Sequence, residues 1–402
     1  MSNPKMSNAV LKGYKVIDLG SFITAPYACM LLAEMGAEVI KVEKPKLGDP
    51  FRLFNGTLYS SAFQAHNRNK KSLELDFTKP QGLKILDKII ANADALVINV
   101  RPGVEKKLGI DFERLHAINP KLVYCLVTGY GAEGPYAERP AYDNVGQVLS
   151  GWLSLFHGGE DSRVAGPAVS DTVTGIFAAM GILAALLERS TTGVGRKVEV
   201  SMLESMIALS TEPLAKLFAL GQPIELHSRA KASQAFIFTC KDGKRIGIHL
   251  SSPEKFWSGL IQALNAPHIA EQFPTRLSRV QRYDQLSHEL ALIFKQQDRD
   301  HWLPLLEAHD VPFAPERLLH ELEEDPQVQH LKTFYTVSQK KYGSVKAAHR
   351  AVRFDGDNTS DFFPPPDLGE HNFEIFKSLG LSEDELRSLE SADIIGSIDH
   401  KG

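Results

Sequence analysis

Cysteine is scarce in this chain and is never clustered. The three cysteines, Cys29, Cys125 and Cys240, lie far apart in the 402 residues, and none forms a Cys-x-x-Cys pair. A disulfide scaffold and a thiolate metal site are therefore not expected, and free thiols fit the reducing cytosol. Because the first residues also lack the apolar run of a secretory signal, we expect a cytoplasmic protein.

Long apolar runs and an excess of positive charge are also missing. The most hydrophobic stretch, residues 172–187, contains Gly175 and Gly181 and is shorter than the roughly 20 residues that a membrane span requires. We therefore expect a buried helix there and no membrane partner. The formal net charge is −4, so the composition shows none of the global positive charge that nucleic-acid binding requires.

Familiar catalytic motifs are absent as well. The sequence has no G-x-S-x-G, H-E-x-x-H or Walker motif, and its 14 histidines show no ligand-spaced pair, so we expect no metal centre. Gly129-Tyr-Gly-Ala-Glu-Gly134 does match the dinucleotide fingerprint G-x-G-x-x-G. Pro135 and Pro140 follow it, however, and prevent the helix that the fingerprint needs at the pyrophosphate. A glycine-rich loop near a ligand is the favoured interpretation.

The first half of the chain alternates short β-branched runs with amphipathic stretches. This alternation is typical of βαβ units around a parallel sheet that is buried on both faces. The pattern predicts strands at residues 14–19, 38–43, 95–100, 122–128 and 197–200, and helices at 26–36, 83–91, 172–187 and 201–220, the last of them kinked or broken at Pro213.

The pattern changes from about Pro223. Residues 235–249 read as two strands joined by Asp242-Gly243, which is a strong hairpin signal. Helices are expected at residues 253–264, 283–295 and 299–309, followed by an extended segment at 311–315. We therefore predict a small α+β domain over 223–325. The predicted large domain consists of 1–222 and of a C-terminal segment, 326–402, that returns to it through the proline-rich connector 362–367.

Basic residues cluster in the predicted sheet region although the whole chain is acidic. Residues 37–110 contain 13 Lys or Arg against 8 Asp or Glu. Ligands of open α/β sheets bind beyond the carboxyl ends of the strands, so these cations suggest a phosphorylated ligand. Those near strand ends are Lys44, Lys46, Arg68, Lys70, Lys71, Arg101, Lys106 and Lys107.

Several short sequence motifs follow one another along nearly the whole chain. Each motif alone is weak evidence, but their order is specific. They are residues 11–20, 32–43, 67–76, 99–103 and 129–135, Asp171 with Gly175, residues 195–204, Val311-Pro312 and residues 368–371. In this order they resemble the family III CoA-transferases (CaiB/BaiF family), the group of the carnitine and formyl-CoA transferases. The resemblance implies an α/β fold with a Rossmann-like large domain built from both chain ends, a small domain between them, and an interlocked homodimer.

The resemblance also implies a reaction. Such an enzyme moves coenzyme A from an acyl-CoA to a carboxylic acid through an aspartyl mixed anhydride and an enzyme–CoA thioester. Asp171 matches the nucleophilic aspartate. A carboxylate with a reference pKa of about 3.9 is ionised at neutral pH and attacks a thioester without a general base. The structural alternative is that Asp171 only caps the helix that begins there.

Further roles follow from the same resemblance. It implies that Lys44, Leu75, Asn99, Arg101 and Lys107 contact CoA, which is a substrate, so that no permanently bound cofactor is expected. The expected partners are an acyl-CoA and a small carboxylic acid. Backbone amides from Gly129 to Gly131 are candidates for stabilising the oxyanion that forms when the thioester is attacked.

Two departures from relatives bear on the alternatives. Formyl-CoA transferases carry a glycine run in the small domain, and none occurs between Pro223 and Pro315, so the chain is closer to the carnitine branch. The α-methylacyl-CoA racemases of the same fold use a histidine where this chain has Tyr142. A phenol with a reference pKa of about 10 is a poor base at pH 7, which disfavours the racemase alternative. A non-catalytic acyl-CoA binder is the third alternative, but it requires no acid at position 171.

Overall fold

A computed structural model describes residues 9–56, 58–156, 166–251, 254–339, 341–357 and 362–398. Within these ranges the chain forms two compact units. The first contains the described residues up to 154, those of 166–212 and those from 332 onward; the second contains Leu155, Phe156 and Pro213–Leu331. The predicted domain divisions lie after residues 222 and 325.

A parallel sheet of six strands forms the centre of the first unit. Its strands are β1 (Lys15–Asp18), β2 (Glu38–Glu43), β3 (Lys70–Glu74), β4 (Ala95–Ile98), β5 (Val123–Thr128) and β6 (Lys197–Ser201). They lie in the order β3-β2-β1-β4-β5-β6, and Ile17 of β1 pairs with Ile40 on one side and Leu96 on the other. The order therefore reverses between β1 and β4, and ligands of open sheets bind beyond the carboxyl ends of the strands at such a point.

Helices connect these strands. They are α1 (Thr24–Glu34), α2 (Ser61–Asn67), α3 (Pro80–Ile90), α4 (Val104–Leu108), α5 (Phe112–Ile118), α6 (Asp143–Leu149), α7 (Val169–Thr192) and α8 (Met202–Leu209), followed by α9 (Thr211–Leu220). The predicted helix over 201–220 is thus two helices, which separate at Ser210. Pro213 lies in the first turn of α9, where its missing N–H and fixed φ are tolerated.

The second unit is α+β. Its elements are α10 (Ser228–Ser233), β7 (Ala235–Thr239), β8 (Arg245–His249), α11 (Glu254–Ala263), α12 (Pro267–Gln272), α13 (Arg276–Gln281), α14 (Tyr283–Phe294), α15 (Arg299–Ala308), β9 (Phe313–Pro315) and α16 (Pro326–His330). The predicted hairpin is confirmed as β7 and β8, and the predicted extended segment contributes β9 to the same antiparallel sheet.

The chain then returns to the first unit. It forms the hairpin β10 (Phe334–Gln339) and β11 (Gly343–Ala348), and later α17 (Asn372–Ser378) and α18 (Glu383–Ser391). The proline-rich connector between them is fixed by backbone contacts, since the Pro365 carbonyl accepts from the Tyr59 hydroxyl (2.8 Å) and the Pro366 carbonyl from Arg52 Nη1 (3.1 Å). The hairpin and the two helices were not predicted.

Both faces of the parallel sheet are buried. Alternate residues of each strand point to opposite sides, so that Val16 and Ile17 of β1 belong to different cores. α1 and α7 cover the face that contains Val16, whereas α3, α5, α17 and α18 cover the other. This explains why the strands read as nearly continuous apolar runs.

α7 is longer than the sequence suggested. With 24 residues it is long and apolar enough to cross a membrane by length and composition, a test that the core helix of a soluble protein also passes. Its glycines permit close packing in the first unit. A Cβ on Gly175 would lie 2.9 Å from the Thr24 carbonyl oxygen at the start of α1, and one on Gly181 would lie 2.7 Å from Val198 of β6.

A network of buried charges joins the first three strands. The Asp18 carboxylate at the end of β1 lies 2.8 Å from Lys70 Nζ and 3.6 Å from Lys41 Nζ, and all three side chains are fully buried. Lys41 Nζ also contacts Asp49 (2.9 Å) and donates to the Gly20 carbonyl (2.8 Å). Burial alone would lower the pKa of Lys41, but the charges of Asp18, Asp49 and Glu43 raise it overall, so the ammonium form persists.

We predict that Lys41→Met destabilises the first unit by about 3 kcal/mol or more, because the substitution removes the cation paired with the buried Asp49 carboxylate and one of the two cations beside Asp18. Lys71→Met is the matched control. Lys71 pairs with Glu38 and Glu374 in a partly exposed position, so its loss costs less than about 1 kcal/mol. Hydrogen exchange of the β1 and β2 amides measures both, and equal losses would contradict the prediction.

Candidate active site

A cavity of about 200 Å³ opens at the carboxyl end of the sheet, where the strand order reverses. Segments that follow β1, β4 and β5 meet there with the first turn of α7. The lining consists of Phe22, Ile23, Thr24, Asn99, Val100, Arg101, Pro102, Val127, Thr128, Gly129, Ala137, Arg139, Pro140, Ala141, Tyr142, Asp171 and Met202. The fold thus brings together four of the predicted site residues: Asn99, Arg101, Tyr142 and Asp171.

Asp171 is the third residue of α7 and does not cap the helix. Ala168 occupies the N-cap position and its side chain makes no capping hydrogen bond. The cap comes instead from Asp143 at the start of α6, whose Oδ1 accepts from the backbone N–H groups of Ser170 (2.8 Å) and Asp171 (3.2 Å). Among the described residues the Asp171 carboxylate itself has no hydrogen-bond partner. It is therefore available to a ligand in the cavity.

The role of Asp143 could not be predicted from the sequence. This residue follows Tyr142 directly but precedes Asp171 by 28 positions, and its function as a cap depends on the packing of α6 beside α7. Its other oxygen, Oδ2, accepts from Gln147 Nε2 (2.6 Å) one turn later in α6. These contacts fix its orientation and place a second carboxyl group next to Asp171.

The acidity of Asp171 differs from the sequence-based expectation. Burial, and then the negative charge of Asp143, raise the pKa of Asp171 from its ordinary value of 3.8 to about 7. At pH 7 a substantial share of the Asp171 carboxyl groups is therefore protonated, in contrast to the full ionisation that the reference pKa predicts. Its position in the first turn of α7 favours the anion once the proton has left.

The loop that follows β1 is fixed by Asn99. Its side-chain oxygen accepts from the Ser21 N–H (2.9 Å), and its amide nitrogen donates to the Ser21 carbonyl (2.7 Å) and the Thr24 hydroxyl (2.9 Å). Asn99 thus positions the loop. Phe22 at the tip of the loop has φ +63°, which is uncommon for a residue with a side chain. Its ring contacts Tyr142 edge-on, with the ring centroids 5.9 Å apart.

Two guanidinium groups line the cavity. Arg101 follows β4 and Arg139 lies in the loop after β5; both are exposed, and neither has an ion pair among the described residues. The Arg139 guanidinium carbon lies 3.9 Å from the centroid of the Tyr136 ring. The cavity therefore combines one carboxyl group of raised pKa with two guanidinium groups that have no ion pair in the described part of the chain.

The other predicted CoA contacts are distributed differently. Lys44 and Leu75 line a second cavity of about 240 Å³ that also includes Gly20 and Ser21, so the loop after β1 borders both cavities. Lys107 lies exposed in the last turn of α4 and lines neither. Leu75 is buried, and its backbone forms a bridge with Ile395 in the returning C-terminal segment.

Gly131 is not placed as expected. Its N–H donates to the Thr128 hydroxyl (3.0 Å), and the residue lines a different cavity that also contains Glu133 and Glu204. Its amide is therefore not available to an oxyanion at Asp171. Of the proposed donor segment, Gly129 does lie in the lining next to Asp171.

The basic residues at the start of β3, and Arg68 just before it, are likewise not available to a ligand. Arg68 pairs with Glu34, Lys70 with Asp18, and Lys71 with Glu374. These cations stabilise the sheet, so the prediction that they surround a phosphorylated ligand is wrong. In the part of the chain that the structure describes, no three His, Cys, Asp or Glu side chains are placed to hold a metal ion.

Comparison with known proteins gives a consistent result. The model of CoA-transferase family III matches residues 11–372. Succinyl-CoA:glutarate CoA-transferase of Mus musculus is 32% identical over 92% of this chain and 86% of its own length. Succinyl-CoA–D-citramalate CoA-transferase of Chloroflexus aurantiacus is 28% identical over 96% of this chain and 98% of its own length.

Solved structures agree in fold. A CaiB/BaiF family protein from Brucella suis has a TM-score of 0.81 and 28% identity, covering 93% of this chain and 100% of that one. A Mycobacterium tuberculosis protein, crystallised as an aspartate-to-alanine variant, has a TM-score of 0.80 and 28% identity, with 91% and 98% covered.

We predict that Asp143→Asn moves the titration midpoint of Asp171 below 7, because removing a neighbouring negative charge favours the ionised form of the remaining acid. Asparagine keeps an oxygen that accepts from the N–H groups of residues 170 and 171. The midpoint is measurable from the ¹³C carboxyl shift of labelled aspartate, assigned by its loss in Asp171→Asn.

The matched control is Asp111→Asn. Asp111 caps α5 by accepting from the Arg114 N–H (3.1 Å) but does not line the Asp171 cavity. It should leave the midpoint near 7. A midpoint that rises, or stays at 7, in Asp143→Asn would contradict the assigned coupling.

Proposed function

The chain belongs to CoA-transferase family III, and from this membership we propose that it transfers coenzyme A through a covalent bond to Asp171. The family and the curated relatives identify it as an enzyme that transfers CoA. The observation that carries the residue assignment is the state of the Asp171 carboxyl group. It lines the cavity at the strand-order reversal and has no partner among the described residues, whereas the neighbouring Asp143 is engaged by three donors.

The proposed reaction begins when an Asp171 oxygen attacks the thioester carbonyl of the acyl-CoA. The carbon–sulfur bond breaks, CoA leaves as a thiolate, and a mixed anhydride remains on Asp171. The thiolate then attacks the aspartyl carbonyl of this anhydride, which releases the donor acid as a carboxylate and leaves CoA joined to Asp171 as a thioester.

The second half repeats these steps in reverse. The acceptor carboxylate attacks the aspartyl thioester and expels the CoA thiolate, so that a new anhydride forms. The thiolate attacks the acyl carbonyl of this anhydride, and the new acyl-CoA leaves together with free, ionised Asp171. No proton has to be transferred, provided that Asp171 is ionised at the start. The raised pKa therefore predicts that the rate increases as pH rises through about 7.

The two cavities suggest how CoA lies on the protein. We propose that its nucleotide occupies the cavity of Lys44 and Leu75, that Arg101 contacts a phosphate, and that the pantetheine passes the loop fixed by Asn99. CoA is then a substrate rather than a permanently bound cofactor. Lys107 lines neither cavity, so we propose only that it adds an exposed positive charge to this surface.

We further propose a Rossmann-like sheet and an interlocked homodimer. The strand order 3-2-1-4-5-6 supports the first proposal. Apolar side chains exposed on three neighbouring helices support the second, since an isolated subunit would leave them in water: Val148 of α6, Ile176, Met180 and Leu187 of α7, and Ile207 of α8. A cytoplasmic location is proposed because the cysteines Cys29, Cys125 and Cys240 are free thiols.

The substrates follow only by analogy. Because several relatives are named for succinyl-CoA, we propose it as the first donor to test. Racemase activity is not proposed, because the cavity presents the phenol of Tyr142 where a racemase needs an imidazole.

We predict that Asp171→Asn lowers transfer by at least about a thousandfold and leaves acyl-CoA binding within about threefold, because an amide of similar shape is not a nucleophile. Hydroxylamine added to wild-type protein and acyl-CoA should leave a hydroxamate on the peptide that contains Asp171. Asp111→Asn is the control and should keep both turnover and the hydroxamate. Sustained turnover by Asp171→Asn would refute the assignment.

We predict that Met180→Lys weakens the dimer by at least tenfold. Met180 is 56% exposed in the described chain, and a lysine there would place a charge in the proposed apolar interface. Leu319→Lys, on an exposed 3-10 turn of the second unit, is the control and should leave the dimer unchanged. Sedimentation equilibrium measures both, and a monomeric wild-type protein would contradict the proposal.

A further inference from the structure

We infer that Arg139 binds the second carboxylate of a dicarboxylic acid at this site, so that the enzyme prefers dicarboxylic acids to monocarboxylic acids of the same length. The inference rests on the proposed function of Asp171. It concerns how the transferred acid is recognised, which the covalent chemistry at Asp171 leaves open.

Binding of an acidic substrate next to Asp171 and Asp143 requires positive charge nearby. The acceptor acid is an anion, and it approaches Asp171, whose backbone N–H donates to the Asp143 carboxylate (3.2 Å). A second carboxylate on the same acid increases the repulsion unless a cation lies within reach. Arg101 and Arg139 are the two cationic side chains in the lining, and both are without counter-ions among the described residues.

The strand order separates the two arginines. On one side of the reversal, Lys44 follows β2 and Leu75 follows β3. The loop that borders both cavities follows β1, and Arg101 follows β4, which is adjacent to β1. Arg139 lies in the loop after β5, one strand further on. A CoA molecule that starts at Lys44 and reaches Asp171 therefore passes Arg101, and its acyl group continues toward the side of Arg139.

Arg139 is also oriented before a ligand arrives. Its guanidinium lies over the Tyr136 ring. Its backbone N–H donates to the Tyr136 carbonyl (2.9 Å), and the carbonyl of the adjacent Pro140 accepts from the Tyr130 hydroxyl (3.3 Å). Stacking uses the face of the guanidinium and leaves its N–H edge free for a carboxylate, which it binds with two parallel hydrogen bonds.

The surface around Arg139 suits a short carbon chain. Ala137, Pro140, Ala141 and Val127 contribute apolar lining to the same cavity. An acid with one carboxyl group at Asp171 and its methylene groups along this surface would present its other end to Arg139. The ligand class is therefore a short aliphatic dicarboxylate.

The test compares acceptors that differ only in the second carboxyl group. With succinyl-CoA as the fixed donor, kcat/KM is measured for glutarate against pentanoate and for adipate against hexanoate. In a two-step exchange this constant reports the acceptor half-reaction. Wild type should prefer the dicarboxylate by about tenfold or more, and Arg139→Gln should reduce that preference about tenfold to a hundredfold, the usual effect of losing a charged hydrogen bond.

Two further variants separate recognition of the acid from binding of CoA. Arg139→Lys keeps the charge but loses the paired geometry, so its preference should lie between those of wild type and Arg139→Gln. Arg101→Gln should raise KM for acyl-CoA and leave the ratio between the two acceptors unchanged. Because both arginines are exposed, neither substitution removes core packing.

The outcomes distinguish this inference from the proposed function. An unchanged ratio in Arg139→Gln, a wild-type ratio near one, or an effect of Arg139→Gln confined to KM for acyl-CoA would overturn the role of Arg139. In each case a hydroxamate on Asp171 would leave the covalent mechanism intact. If wild type forms no hydroxamate, both proposals fall.

Discussion

The buried carboxylate of Asp18 is the contact on which the geometry of the site depends. It lies at the end of the central strand β1 and contacts the ammonium groups of Lys41, on the adjacent strand β2, and Lys70, on β3 beyond it. Burial alone would raise the pKa of Asp18, but the two lysines lower it overall, so the carboxylate remains charged. Its other oxygen accepts from the Gly20 N–H (2.9 Å), which fixes the start of the loop that separates the two cavities.

The remaining site follows from how the next elements attach to that loop. Asn99 joins the end of β4 to Ser21 and Thr24, and Thr24 begins α1, which packs against α7 at Gly175. Asp143 then fixes the first turn of α7. The same carboxyl group therefore positions Asp171 and adds to the rise in its pKa that burial causes.

Sequence patterns predicted the parallel sheet because most of its strands are buried apolar runs, and the resemblance to CoA-transferase family III is confirmed. β3 escaped notice because it reads Lys70-Lys-Ser-Leu-Glu74, and a pattern cannot distinguish a buried, ion-paired lysine from a solvated one. For the same reason Arg68, Lys70 and Lys71 were misread as ligand contacts. Asp143 and the pKa of Asp171 depend on contacts between distant segments, which no local spacing reveals.

Close packing at Gly175 holds the Asp171 side of the candidate active site in place, whereas the Arg139 side lies on a loop. Since the start of α1 lies against the backbone of α7 one turn after Asp171, the proposed nucleophile has little freedom to shift along the helix axis. The segment after β5 that carries Arg139 is a surface loop, and loops accept substitutions more readily than packed helices. Over evolutionary time, related enzymes could therefore change which acid they accept through substitutions in this loop, while the Asp171 carboxyl group keeps its position.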